Sequence, residues 1–451
     1  MKDLKNHYQN VIIGFGKGGK TLAAYLANHG QQVAVVERSE MMYGGTCINV
    51  ACIPTKSLIT NAEKKIPYSV AIEVKNNLTS YLRQKNYDNL DQLPSVTIIT
   101  GKARFLSERE IAIALRQSNE EVRVTAERIF INTGTEPFIP DIPGIKTSQK
   151  VYTSASLMDQ SGLPERLIII GAGFIGLEFA DMYAKFGSKV TLLDGRKTFL
   201  PNEDADIADA IYEAMTSKGI DIVTGATVEQ ISDSSHGVMA KFKHAGGTSE
   251  KIEASAVLVA TGRKPNLEGL DIHAAGIKLN EKGFIAVDDQ LKTNVQNIWA
   301  IGDINGGPQF TYISLDDFRI IRGQLFGGDY TSTTQRKAVA SCVFLTPPYA
   351  HIGLREKDAK AAGHRIIVAK LPAAAVPRAR ILNNTVGLLK SVIDADTNKI
   401  LGCSLFCVES SEMINTIQVA INAGLDYRII RDTIFTHPSM TEAFNDLYAS
   451  I

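Results

Sequence analysis

Two cysteines five positions apart, Cys47 and Cys52, stand in the stretch GGTCINVACIPTK, residues 44–56. The chain of 451 residues holds only five cysteines, so this pair is the first candidate for chemistry. On a regular helix over residues 46–58 the two would be separated by about 7.5 Å of rise and roughly 140° of rotation, with Cα atoms about 8–9 Å apart. A disulfide tolerates about 7 Å, so a bond demands a distorted segment. Pro54 and the glycines before Cys47 permit distortion, and a strained bond is easier to reduce. Spacing alone leaves two readings open: a redox pair, or two buried thiols that pack. A zinc site would want paired C-x2-C elements or clustered histidines; neither is present in the sequence, and no metal site is expected.

A second candidate is FTHPSMTEAFNDL near the C-terminus, with His437, Pro438 and Glu442. Proline after the histidine suits the first turn of a helix. Glu442 then falls about one and a half turns on, so local geometry does not guarantee contact. Where the two meet, the carboxylate fixes the imidazole tautomer and makes it a better base. On generic grounds a histidine near a glutamate is more often structural than catalytic. His29, His236 and His364 lie in polar or helix-end contexts and receive no role. Cys342, Cys403 and Cys407 lie in apolar, strand-like contexts and read as packing residues.

The elements that must position these residues come in two similar copies. Residues 9–37 and 166–194 each run from a β-branched strand through G-x-G-x-x-G-x-x-x-A into a helical pattern and a second apolar strand. The glycines are Gly14, Gly16 and Gly19, then Gly171, Gly173 and Gly176. Each second strand ends in a carboxylate, Glu37 or Asp194. The first glycine makes the tight turn, the second admits a pyrophosphate at the helix N-terminus, and the third lets helix and strand pack. The acid accepts hydrogen bonds from a ribose, so the chain is expected to hold two dinucleotides. Residues 140–165, rich in Pro, Gly and Ser, read as a linker. From about residue 337 the pattern becomes α+β without a nucleotide signature, which suits assembly.

Lys+Arg and Asp+Glu both number 48, a balance that gives no reason to expect nucleic acid or an anionic membrane. No secretory signal and no long apolar span is legible, and an odd cysteine count does not suit a secreted disulfide framework. A cytoplasmic protein is expected.

Taken together, these residues resemble the FAD-dependent pyridine nucleotide–disulfide oxidoreductases over essentially the whole chain. The motifs that carry the resemblance are the first glycine loop with Glu37, GGTCINVACIPTK, INTG (131–134), GAGFIGLE, VATGRKPN (259–266), AIGD (300–303) and THPSMTE. Within the family, MYGGTCIN, QFTYISLDD, VPRAR and FTHPSM point to the bacterial branch linked to reactive-chlorine resistance and hypothiocyanous acid reduction. Lipoamide dehydrogenase and mercuric reductase are more distant relatives.

The resemblance implies an α/β fold with two Rossmann-like dinucleotide-binding domains and a C-terminal α+β dimerisation domain. Expected boundaries are 1–148 and 264–336 for FAD, 149–263 for the nicotinamide nucleotide and 337–451 for the dimer interface. It implies that Gly14, Gly16, Gly19, Glu37, Gly45, Thr46, Lys56, Thr133, Gly134, Gly302 and Asp303 serve FAD. Gly171, Gly173, Phe174, Gly176, Asp194 and Gly262 would serve NAD(P)H. Cys52 would face the flavin as the charge-transfer thiolate and Cys47 would attack substrate. Lys56 and Glu178 would tune the flavin, while His437 with Glu442 would reach the cysteines of the partner subunit in an obligatory homodimer. Electrons would run from nicotinamide through FAD and the dithiol to a small oxidant, hypothiocyanous acid above all. Lipoamide dehydrogenase and copper(II) or mercury(II) reductase are the alternative activities, and a redox switch or metal-binding protein using the pair is the alternative outside enzymes.

Asp194 predicts NADH, although Arg196 and Lys197 lie close enough to admit NADPH. Ala51 and Asn132 depart from the family's usual glycine and alanine. The C-terminus NDLYASI lacks a cysteine pair, which supports neither a thioredoxin-reductase relay nor mercury capture. Arg378 and Arg380 either line the substrate approach or hold the dimer, the structural role being favoured.

Overall fold

The apolar run after residue 7 forms a strand, β1 (His7–Ile13), whose interior positions are buried on both faces, as a parallel sheet requires. Helix α1 (Lys17–Asn28) follows the first glycine loop and returns the chain to β2 (Val33–Glu37), parallel to β1. The cysteine segment then yields two short helical pieces, α2 (Thr46–Asn49) and α3 (Cys52–Glu63), before the long helix α4 (Tyr68–Asp91). This computed structural model describes residues 4–118 and 120–451; the first three residues of the N-terminal reading and of the first expected domain lie outside the described residues.

Two long strands explain the sheet that follows. Strand β3 (Val96–Phe105) runs parallel to β2 over its first half and antiparallel to β4 (Glu110–Leu115) over its second. Strand β5 (Glu121–Ile131) does the reverse, leaving β4 to lie parallel to β1 and to the strand Ile298–Ala300. The parallel layer therefore continues without a break into an antiparallel meander. Helix α1 seals one face with Leu22, Ala23 and Leu26 against Phe130, Trp299 and Ile321. Burying each of the two leucines contributes about 1.5–3 kcal/mol. Tyr8, Val11, Phe105 and Ile129 fill another core of the same unit.

The described chain divides into two compact units, the first running up to Leu58 and then over Ser69–Phe138 and Gly262–Arg336. The second comprises Ile59–Tyr68, Ile139–Thr261 and Lys337–Ile451. It contains the other glycine loop, set in a five-stranded parallel sheet with Arg166–Ile170 paired to Lys189–Asp194 and to Ala256–Val259. The stretch expected as a linker is structured here. Val151–Tyr152 pairs at the edge of that sheet, and a Thr153–Ser156 capping box starts the short helix Ser154–Met158.

The same unit ends in a five-stranded antiparallel sheet, Ser341–Val343, Tyr349–Gly353, Ile400–Phe406, Leu388–Asp394 and Ile366–Pro372 in spatial order. Helices Ser410–Ala423 and Ala443–Ala449 bury Ile417, Phe444 and Leu447 in its core. No described helix is long and apolar enough to cross a membrane.

Candidate active site

A disulfide between Cys47 and Cys52 would need a departure from regular helix, and the segment is interrupted at Val50–Ala51. Helix α2 ends on Val50 (φ −140°, ψ 5°), and Cys52 opens α3. Pro54 lies in the first turn of α3, where its missing N–H has no intrahelical partner to lose, so the break belongs to residues 50–51 rather than to the proline. Cys47 and Cys52 thus sit on different helical pieces, in the dithiol form, and both are half-buried. The loop before them is pinned: Asn49 donates to the carbonyls of Tyr43 and Gly45, both at 2.9 Å, and accepts from Arg83 at 2.8 Å. The Cys47 thiol is pushed far up, first by its hydrogen bond to Cys52, then by burial and by charge on Cys52. Thr311 Oγ1 stands 3.7 Å from the Cys52 sulfur.

Around the first glycine loop, Glu37 is buried at the end of β2 and accepts from the N–H groups of Phe15 (3.1 Å) and Ser39 (3.3 Å). Burial outweighs those bonds and pushes its carboxyl up to about 7. A carboxyl in that condition gains from hydroxyl donors. The Thr133 hydroxyl oxygen is buried without a hydrogen-bond partner among the described residues. Gly45, at φ +82°, comes so close to the loop that a Cβ there would lie 2.7 Å from the Gly16 Cα. An acid awaiting donors, an orphaned hydroxyl and a glycine cradle fit the ADP half of FAD. Asp303, raised by burial, accepts from Thr135 at 3.1 Å, and Arg263 donates to the Thr135 hydroxyl (2.8 Å) and carbonyl (2.7 Å). Gly302 donates its N–H to Asp317 at 2.7 Å. Thr46 opens α2, Gly134 takes φ +68°, and Lys56 follows Cys52 by one turn on α3.

Asn132, the departure from alanine, has a structural reason. Its Oδ1 accepts from Gly19 N–H at 3.0 Å and its Nδ2 donates to the Ile301 carbonyl at 2.6 Å, tying the glycine loop to the sheet.

In the second loop, Gly171 takes φ +103°, where a Cβ would lie 2.6 Å from the Ala260 carbonyl oxygen. Gly173 caps the helix Phe174–Phe186, whose buried face includes Gly176, while Phe174 is exposed. Glu178, also buried, accepts from the Phe344 N–H at 3.0 Å. Gly262 takes φ +124°. Asp194 is buried at its strand end, but both its oxygens are engaged by Arg196, Nε at 3.1 and 2.9 Å and Nη2 at 2.7 Å. A second Arg196 bond reaches the Ala172 carbonyl at 3.1 Å.

His437 and Glu442 meet, with Nδ1 2.8 Å from Oε2, though not through a helix. The helix begins only at Ala443, so Pro438 does not open it; Ser439 and Glu442 instead bond reciprocally, Ser439 N–H to Oε1 at 3.0 Å and Glu442 N–H to Ser439 Oγ at 3.3 Å. Burial pulls Glu442 up, but the bonds from His437 and Ser439 win and hold it below the usual carboxylate range. Arg378 lies 3.6 Å from Glu409, while Arg380 is exposed. Cys403 and Cys407 are buried in the C-terminal core, and burial pushes both thiols up. Among the described residues no three His, Cys, Asp or Glu side chains are grouped so as to hold a metal ion.

Sequence reasoning passed over Thr135, Arg263 and Thr311. Arg263 lay within VATGRKPN, which was the available signal.

Residues 8–317 match the pyridine nucleotide-disulphide oxidoreductase family, and residues 339–448 match that family's dimerisation domain. The chain is 48% identical over 446 residues to the probable pyridine nucleotide-disulfide oxidoreductase RclA of Escherichia coli, covering 99% of this chain and 100% of that one. It is 32% identical to a mercuric reductase of Bacillus cereus, over 96% of this chain and 70% of the relative. The solved Cu(II) complex of the HOCl-induced flavoprotein disulfide reductase RclA from Escherichia coli superimposes with a TM-score of 0.96 at 47% identity, covering 99% of this chain and 100% of that one.

Proposed function

The chain belongs to the pyridine nucleotide-disulphide oxidoreductase family, and from that premise we propose that it carries electrons from NADH to a small thiol-reactive oxidant, hypothiocyanous acid above all. It is a flavoprotein disulfide reductase. The observation that carries the reading is the Cys47–Cys52 pair, two half-buried thiols on the helical pieces either side of the break at residues 50–51. The likeness to an HOCl-induced reductase supports an oxidant as the acceptor.

FAD, held by Gly14, Gly16, Gly19, Glu37, Gly45, Thr46, Lys56, Thr133, Gly134, Gly302 and Asp303, supplies two-electron transfer between the nicotinamide and the disulfide. We assign it to segments 1–148 and 264–336, the nicotinamide nucleotide to 149–263, and the dimer contact to 337–451. Gly171, Gly173, Phe174, Gly176, Asp194 and Gly262 receive the nucleotide, and Lys56 and Glu178 set the local charge. The protein's own residues do the thiol chemistry. The Cys47 thiolate attacks the electrophilic sulfur of hypothiocyanous acid; a sulfur–sulfur bond forms and the oxygen leaves as water, with His437 of the partner subunit, oriented by Glu442, giving the proton. The Cys52 sulfur then attacks Cys47, forming the disulfide and expelling thiocyanate. One oxidant and two thiols give one disulfide, water, thiocyanate and a proton. Asp194 selects NADH, and its pairing with Arg196 leaves NADPH usable. A cycling thiol pair supplied by NADH suits a cytoplasmic homodimer.

The test is NADH oxidation by the purified protein against hypothiocyanous acid, lipoamide, glutathione disulfide, copper(II) and mercury(II). Fast turnover with hypothiocyanous acid alone supports the proposal. Preference for lipoamide or a metal ion overturns the substrate and leaves the family chemistry in place.

A further inference from the structure

The stretch QFTYISLDD, residues 309–317, reaches the cysteine pair through one hydroxyl. Within the first unit, Thr311 opens the helix Thr311–Phe326, and its Oγ1 lies 3.7 Å from the sulfur of Cys52, which opens α3. A threonine inside a helix can give its hydroxyl to the carbonyl one turn back, as Thr21 does to Lys17 at 2.7 Å in α1. In the first helical position no preceding helical turn supplies that carbonyl, so the Thr311 hydroxyl is free to face the sulfur. The start of this helix is held in place from within the same unit. Ser314 Oγ accepts from the Gly18 N–H at 3.0 Å, and the buried Asp317 accepts from the Gly302 N–H at 2.7 Å and from Arg336 at 2.6 Å. The rings of Phe310 and Tyr312, the residues flanking Thr311, stack with centroids 5.0 Å apart and planes 9° from parallel. No acidic residue lies in the first turn, so the positive end of the helix dipole favours an anion beside Thr311. A thiol both gives and takes hydrogen bonds, but a thiolate only accepts; once Cys52 is ionised, the hydroxyl is the donor.

We propose that Thr311 is a hydrogen-bond donor to the Cys52 thiolate and, with the helix N-terminus it opens, keeps that sulfur ionised once the pair is reduced. This rests on the assignment of Cys52 as the flavin-facing thiolate and deepens it, by naming the group in the chain that holds its charge. The same sulfur attacks Cys47 in the second thiol step, and the thiolate rather than the thiol is the nucleophile. The charged and titratable groups acting on Cys52 from neighbouring elements are Cys47 on α2 and Arg263 on the strand Arg263–Pro265, with Lys56 one turn on in α3 itself. Thr311 is uncharged, so replacing it removes a donor and leaves those groups in the protein.

The experiment titrates the thiolate-to-flavin charge-transfer absorbance with pH in FAD-loaded Cys47→Ser protein, where Cys52 is the one thiol left of the pair, and repeats it with Thr311→Val or Thr311→Ser added. Valine keeps the shape of threonine and lacks the donor. Its introduction is expected to raise the apparent Cys52 pKa by about one unit, an about tenfold loss of thiolate below that pKa, and Thr311→Ser to keep most of the native value. Iodoacetamide labelling followed at the Cys52 peptide across the same pH range reads the shift without the flavin spectrum, and carries the test if the valine variant binds FAD weakly; Thr311→Ala stands in if it does not fold. An unchanged Cys52 profile in the variant, or a shift that Thr311→Ser shares in full, overturns the proposal and leaves Cys52 as the flavin-facing sulfur. Absence of the absorbance at every pH in FAD-loaded Cys47→Ser protein with Thr311 intact overturns the Cys52 assignment itself, and the proposal with it.

Discussion

Replacing Arg196 with methionine tests how the nucleotide is chosen. In the native protein both Asp194 oxygens are taken by the guanidinium at 2.7–3.1 Å, so the acid that would repel a 2′-phosphate is largely neutralised. Removing the arginine exposes a buried carboxylate and deletes a cation at the same point. Two unit charges about 5 Å apart at an effective dielectric near 20 interact by about 3 kcal/mol. The Arg196 side chain is 41% exposed, and solvent screening reduces this to about 1.5–2 kcal/mol. NADPH should therefore bind roughly tenfold to thirtyfold more weakly in Arg196→Met. NADH, which gains two freed acceptors for its ribose, should hold or tighten. Competition between 2′,5′-ADP and 5′-AMP for the protein reads this without turnover, and the ratio of the two Michaelis constants reads it in the assay. An unchanged ratio, or tighter NADPH binding, would refute the reasoning that Arg196 masks Asp194.

Glu37→Gln should weaken FAD binding to the stripped protein by at least about tenfold, because a charge-assisted hydrogen bond is replaced by a neutral one. In the native protein FAD affinity should rise between pH 6 and 8, since ribose donors favour the charged carboxylate and the unliganded acid titrates at about 7; fluorescence titration should show that slope vanish in the variant. Glu442→Gln removes the acceptor 2.8 Å from His437 Nδ1, and hypothiocyanous acid turnover should fall on the order of tenfold in steady-state assays.

What could be read from sequence was whatever is written in fixed spacing. The glycine loops with Glu37 and Asp194 are local patterns, and β1, α1 and β2 follow them residue by residue. The cysteine spacing asked for a break only on the condition of a disulfide, and it did not give the place, because Val50–Ala51 carries no breaker residue; the nearby proline drew attention to the wrong position. His437 and Glu442 meet through an irregular loop closed by Ser439, where helical periodicity has nothing to say. Asn132 was visible only as a departure, its reason lying in Gly19 and Ile301, more than a hundred residues away on either side.

The most direct test of the central claim compares the native protein with Cys47→Ser and Cys52→Ser, measuring flavin reduction by NADH and turnover with hypothiocyanous acid on the same samples. The account predicts that the flavin is still reduced in both variants, while oxidant-dependent NADH consumption drops by on the order of a thousandfold or more. A Cys47→Ser protein that keeps native turnover would show that the oxidant takes its electrons by a route that bypasses the dithiol.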